Sequence, residues 1–93
     1  MENYYVATFY SVSQALRFEK LLQSEGLEVK MIPVPRVISS SCGIAARFSD
    51  MVLTDVADLL VSERAQVEDV YRFESDGKRI HAERVLLHSD DKL

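Results

Sequence analysis

A chain of 93 residues, 47% hydrophobic and 28% charged, has the composition of one small globular domain, which excludes a mainly disordered chain. Fifteen acidic against eleven basic residues give a net charge of -4. The cations are scattered, so a nucleic-acid partner is not expected, because phosphate binding draws on clustered Lys and Arg. A single cysteine cannot close an internal disulfide, no apolar run approaches the length of a membrane span, and no charged-then-apolar leader is seen. The expected setting is therefore cytoplasmic, with no membrane partner.

Residues 3–10 are predicted as a strand, since Tyr4, Tyr5, Val6, Thr8, Phe9 and Tyr10 are aromatic or β-branched. Their near-continuous apolar character points to a central strand. Ser11 and Gln14 have the spacing of a capping box and should open a helix. Val12, Ala15, Leu16, Phe18 and Leu22 supply its apolar stripe, and Gly26 stands where a C-terminal glycine belongs. Leu27, Val29 and Met31 then alternate with Glu28 and Lys30, the period of a half-buried strand that Pro33 should end.

After the proline, serine and cysteine loop, residues 43–48 predict a third strand, with a short helical turn near Ser41 as the competing reading. Ser49 and Asp50 are expected as a loop or bulge. Thr54 or Asp55 should cap a second helix whose buried face is Val56, Leu59, Leu60 and Val67. Residues 70–73 predict a fourth strand and Asp76-Gly77 a turn. Residues 79–87 read either as an edge strand or as a short helix, and 89–93 as a frayed terminus. This order predicts an α+β, ferredoxin-like split βαβ sandwich: a four-stranded, largely antiparallel sheet with two helices on one face. The domain is expected over 1–78, with 79–93 as a C-terminal extension of uncertain structure.

Residues 33–48 carry both prolines, the only cysteine and the only serine run. The prolines stiffen the chain, and Gly43 is expected to let the backbone after Cys42 take a conformation most residues avoid. Ser40 and Ser41 supply hydroxyls and turn amides beside the thiol, and with the Gly43 amide they could form an anion-accepting nest. Arg36 and Arg47 flank the thiol and could hold an anionic substrate or a partner's carboxylate. Against this stand plainer readings: Cys42 as a small buried hydrophobe, the arginines as solvated surface, the serines as turn formers. No second cysteine forms a dithiol pair, and His81 and His88 are too remote in sequence to suggest a hydrolase base or a metal site. No metal or cofactor is expected. One activated sulfur suffices for carriage, in which an atom is accepted and passed on.

The run from Ile32 through Phe48, with Pro35, Arg36, Ser40, Ser41, Cys42, Gly43, Arg47 and Phe48 in register, resembles the signature of the small bacterial family described as "putative Se/S carrier protein-like". The likeness extends to the segments 5–9 and 15–22 and covers roughly residues 4–73. What the resemblance implies is a compact α/β sandwich that carries sulfur or selenium. Here Cys42 is followed by glycine, and the prolines precede it; the sulfur carriers that present a Cys-Pro-x-Pro motif differ in this.

The leading reading is a sulfur or selenium carrier, more a non-enzymatic carrier than a catalyst, that holds the chalcogen as an adduct on Cys42. Its partners would be a cysteine desulfurase or another sulfur or selenium donor, and an acceptor protein. The alternative is a non-enzymatic small-anion-binding or regulatory module in which the cysteine is incidental. A third reading is association through a sheet edge as a homodimer.

Overall fold

The apolar run expected as a central strand is β1 (Glu2–Thr8), the middle strand of the sheet. The computed structural model describes residues 2–85. Its remaining elements are α1 (Val12–Ser24), β2 (Lys30–Pro33), β3 (Ile44–Phe48), α2 (Asp50–Val61), β4 (Asp69–Ser75) and β5 (Ile80–Val85). The strands lie in the order β2-β3-β1-β4-β5, and every neighbouring pair is antiparallel. The architecture is α+β, with two helices and a five-stranded antiparallel sheet. The expected count of four strands is corrected by β5, which pairs with β4 from Val70↔Val85 to Ser75↔Ile80.

The turn chemistry explains why the segment read two ways becomes a strand. Gly77 has φ 95°, which only glycine adopts readily, and Asp76 Oδ1 accepts from Arg79 N–H at 2.9 Å and Lys78 N–H at 3.3 Å. The hairpin returns the chain alongside β4, whose free edge satisfies the backbone of Ile80–Val85. His81 lies on this edge strand. His88 and the tail 89–93 lie outside the described residues.

Both helices end in the same way with different residues. At α1, Gly26 has φ 74°, its N–H donates to Gln23 O at 3.1 Å, and Leu27 N–H donates to Leu22 O at 2.9 Å. This is the Schellman pattern. At α2, Glu63 takes the equivalent place with φ 64°, its N–H donating to Leu60 O and Arg64 N–H to Leu59 O. A side chain there costs roughly 1 kcal/mol that glycine avoids.

Two expectations about the helices are corrected. The α1 stripe is narrower than read: Ala15, Phe18 and Leu22 are buried, but Val12 and Leu16 are half or more exposed. The second helix opens at Ser49, not at Thr54 or Asp55. Residues 51–53 have an apolar look that suits a strand, yet Val52, Val56 and Leu59 repeat at helical spacing and are the buried face of α2.

The sheet has two unlike faces. On one, Ala15, Phe18 and Leu22 of α1 and Val52, Val56 and Leu59 of α2 pack with Ala7, Phe9, Ala46, Phe48 and Val70. On the other, Val6, Ala45 and Phe73 form a smaller core, closed by Tyr4, Ile32, Val34, Ile38, Tyr71 and Ala82, with no helix among the described residues. The loop between β2 and β3 serves both, since Val34 and Ile38 pack on the second face and Cys42 on the first.

Candidate functional site

The connection of residues 34–43 starts from an edge strand. Pro33 ends β2, facing Ile44 of β3, where its missing N–H is tolerated, and Val34 N–H donates to Gly43 O at 3.2 Å. A turn follows in which Ile38 N–H donates to Pro35 O at 3.2 Å. Arg36 is exposed on that turn and makes no ion pair among the described residues. The chain then crosses the end of β1 and enters the helix-covered core at Cys42.

The crossing is fastened by hydroxyls. Ser40 Oγ lies 3.0 Å from Phe9 O and 2.8 Å from Glu68 Oε1, so its one proton has two acceptors in reach. The same oxygen accepts Cys42 N–H at 3.2 Å. Ser41 donates twice to Glu68, from its N–H to Oε1 at 3.4 Å and from Oγ to Oε2 at 3.3 Å. Glu68 is itself anchored, because its N–H donates to Thr8 O at 2.6 Å. The end of β1 therefore holds the loop through Phe9 and holds the loop's carboxylate partner through Thr8.

Cys42 is a free thiol with 5% of its surface exposed, packed in the core that contains Ala7, Phe9, Phe18, Leu22 and Ala46. The hydroxyls and amide read as donors for an anion at this thiol are turned to the Glu68 carboxylate instead. Gly43 is corrected as well: its φ is not in the left-handed region, and a Cβ there would meet nothing within 4 Å. Its carbonyl closes the loop, and its freedom is not needed.

Arg47 lies apart from Cys42. Strand alternation puts it on the face that no helix covers among the described residues, beside Lys30 on β2, with its guanidinium carbon 4.0 Å from the centroid of the Tyr4 ring. It stands on β3 five residues after Cys42, on the face opposite the core that takes the thiol. The structure thus joins Ser40, Ser41, Cys42 and Gly43, and leaves Arg36 and Arg47 outside that group.

Glu68 is the site residue that sequence reasoning missed. It is 27 and 28 residues from its serine partners, in the approach to β4. The one signal was indirect: three consecutive serines carry more hydroxyl protons than a turn uses. Glu68 has no cation within salt-bridge distance among the described residues.

Among the described residues no helix is long and apolar enough to cross a membrane. The family model described as "Putative Se/S carrier protein-like" matches residues 4–72. That span includes the loop, Cys42 and Glu68. No curated protein and no solved structure matches the chain.

Proposed function

The chain belongs to the family described as "Putative Se/S carrier protein-like", and from that premise we propose that it carries sulfur or selenium on Cys42 without catalysing its release. The observation that carries the reading is the placement of the only cysteine. Cys42 sits at the join between a hydrogen-bonded loop and β3, with its own N–H tied to Ser40, inside the segment the family model covers. Loops on a rigid sheet are where single reactive groups are usually presented.

The transfer balances without an oxidant or a reductant. The Cys42 thiolate attacks the outer sulfur of a persulfide on a donor such as a cysteine desulfurase. A new S–S bond forms on Cys42, the donor's S–S bond breaks, and the donor sulfur leaves as a thiolate that takes up the proton Cys42 gave up. Selenium in place of the outer sulfur follows the same course, and an acceptor thiol repeats it in the other direction. Because Cys42 is 5% exposed, the reading requires the loop to lift before either step. Arg36, on the exposed turn, is placed to meet a docking protein. Arg47 would contribute through the open sheet face.

The wider reading goes with this one. The order β2-β3-β1-β4, with helices after β1 and β3, supports a ferredoxin-like split βαβ unit extended by β5. The carrier unit is read as residues 1–78, and the cytoplasm as its setting. A second reading, a small-anion-binding or regulatory module in which Cys42 only packs, is favoured by the burial of the thiol.

Intact-mass measurement separates the two. Reduced protein incubated with a cysteine desulfurase and cysteine should gain the mass of one sulfur atom, lose it to thiol reductant, and fail to gain it as Cys42→Ser. A chain that takes up no sulfur, and whose thiol resists alkylation until the protein unfolds, would leave the second reading.

A further inference from the structure

We propose that the Glu68 carboxylate is the latch of the Cys42 loop, released when a basic side chain of the docking donor or acceptor protein takes the carboxylate over. The proposal rests on the reading of Cys42 as a working thiol, and it names what controls access to it.

Three observations point to Glu68. First, among the described residues the polar tethers from Ser40 and Ser41 to the body of the protein end on two groups, Phe9 O and the Glu68 carboxylate. The Phe9 carbonyl is a neutral acceptor, whereas the carboxylate carries charge that favours its donors: the bond from Ser40 Oγ is short at 2.8 Å, and those from Ser41 are longer at 3.3 and 3.4 Å. Second, the Glu68 carboxylate occupies Ser41 Oγ and Ser41 N–H and shares the Ser40 proton with Phe9 O, and these are the polar donors that precede Cys42 in the chain. Closing the loop therefore hides the thiol and also withdraws its hydrogen-bond donors. Third, Glu68 is only half-buried and has no cation of its own among the described residues, although Arg64, Arg72 and Arg84 each have a carboxylate partner. A reachable, cation-free carboxylate that holds a loop shut is matched by a guanidinium or ammonium group from outside, which offers it stronger bonds than two hydroxyls do.

The sequence of events is then an exchange of partners. A basic side chain of the docked protein pairs with Glu68, the hydroxyl and amide of Ser41 are freed, Ser40 is left with Phe9 O alone, and the loop lifts Cys42 out of the core with the Ser41 donors turned toward its sulfur. Glu68 touches neither substrate nor sulfur in the closed state and is a positioning residue.

The test is the second-order rate of Cys42 alkylation by iodoacetamide, with folding followed by circular dichroism. Glu68→Gln keeps the shape and removes the charge, and should raise the rate about tenfold. The faster rate should be nearly independent of urea below the unfolding transition, the signature of local opening. Tri-arginine peptide should speed alkylation of the wild type and leave Glu68→Gln unchanged, a difference that a purely structural Glu68 would not produce. Should Glu68→Gln fail to fold, Ser41→Ala removes one tether and should act in the same direction by a smaller factor.

A Glu68→Gln rate equal to wild type, or one that rises with urea as global unfolding does, overturns the latch. No response of the wild type to tri-arginine overturns the basic partner. Sulfur loading keeps the two readings apart: wild type that loads sulfur, with Glu68→Gln unchanged in reactivity, sinks the latch alone. Glu68-dependent alkylation with no sulfur taken up by any variant sinks carriage alone.

Discussion

The two faces of the sheet are closed by different means. On the helix-covered face, Phe9 packs against Phe18 at 5.2 Å between ring centroids and Phe18 against Phe48 at 6.4 Å, beneath two helices whose ends are fixed by hydrogen bonds. On the other face, Phe73 is stacked on Tyr4 at 5.3 Å, and the cover is Tyr71, Val34, Ile38 and neighbouring side chains. One core is sealed by secondary structure, the other by side chains and a loop. Because the loop that carries Cys42 closes the second face with Val34 and Ile38 while its thiol lies in the first, lifting it uncovers part of both. The cost of exposing Cys42 is thus shared between a rigid core and a compliant one.

The largest test of this contrast pairs two phenylalanines of equal burial, each 1% exposed. Phe18→Ala should cost about 3–5 kcal/mol, because the helices cannot collapse into the cavity. Phe73→Ala should cost less, nearer 3 kcal/mol, because Tyr4 and Tyr71 can settle inward. Urea unfolding of both variants checks the order, and equal losses would mean that the open face is as rigid as the helical one.

A smaller effect is expected from Ile38→Ala. Its side chain is half-buried, so the loss should be about 1 kcal/mol, and alkylation of Cys42 should quicken because the loop loses its hold on the open face. A stability loss with no change in thiol reactivity would mean that the Pro35–Ile38 turn and the Cys42 end of the loop move independently.

The smallest effect concerns Tyr71, on the open face. Burial, with a further push from the Asp69 carboxylate, raises its phenol above the ordinary value of 10.0. The folded protein therefore keeps this proton where the unfolded chain has begun to lose it. The contribution to stability is fully present below pH 10 and declines as pH rises toward the folded value. Ultraviolet difference titration against Tyr71→Phe should show the missing phenolate step above the ordinary value of 10.0. A step at the ordinary value would show that the open face leaves the ring in water.

Much of this architecture was legible along the chain because its signals are local. The Ser11–Gln14 pair caps α1 much as read, with Gln14 N–H donating to Ser11 Oγ at 3.2 Å and Gln14 Oε1 reaching Tyr10 N–H at 2.9 Å. Gly26 and Gly77 stand where φ is positive, and residues 44–48 form a strand where the helical alternative near Ser41 fails. The start of α2 is not legible locally, because a short apolar run such as 51–53 fits either period until it is extended to Val56 and Leu59. The strand Ile80–Val85 is not legible in the pattern of 79–87, because an edge strand's pairing partner lies on another strand.

A stiff, hydroxyl-rich loop that carries the only thiol between two strands is written in the local pattern, since prolines, serines and a lone cysteine act through local geometry and composition. Which way those groups point was decided only by tertiary structure. Ala45 and Ala46 are both fully buried, one on each face, so alternation along β3 does not reveal in advance which face takes Arg47. The partner of Ser40 and Ser41 comes from the approach to β4 and meets them only once β4 has paired with β1. Sheet assembly therefore places Glu68 against the serine loop and encloses Cys42 in the helical core. Both outcomes are long-range contacts, and no pattern within ten residues of the thiol encodes them.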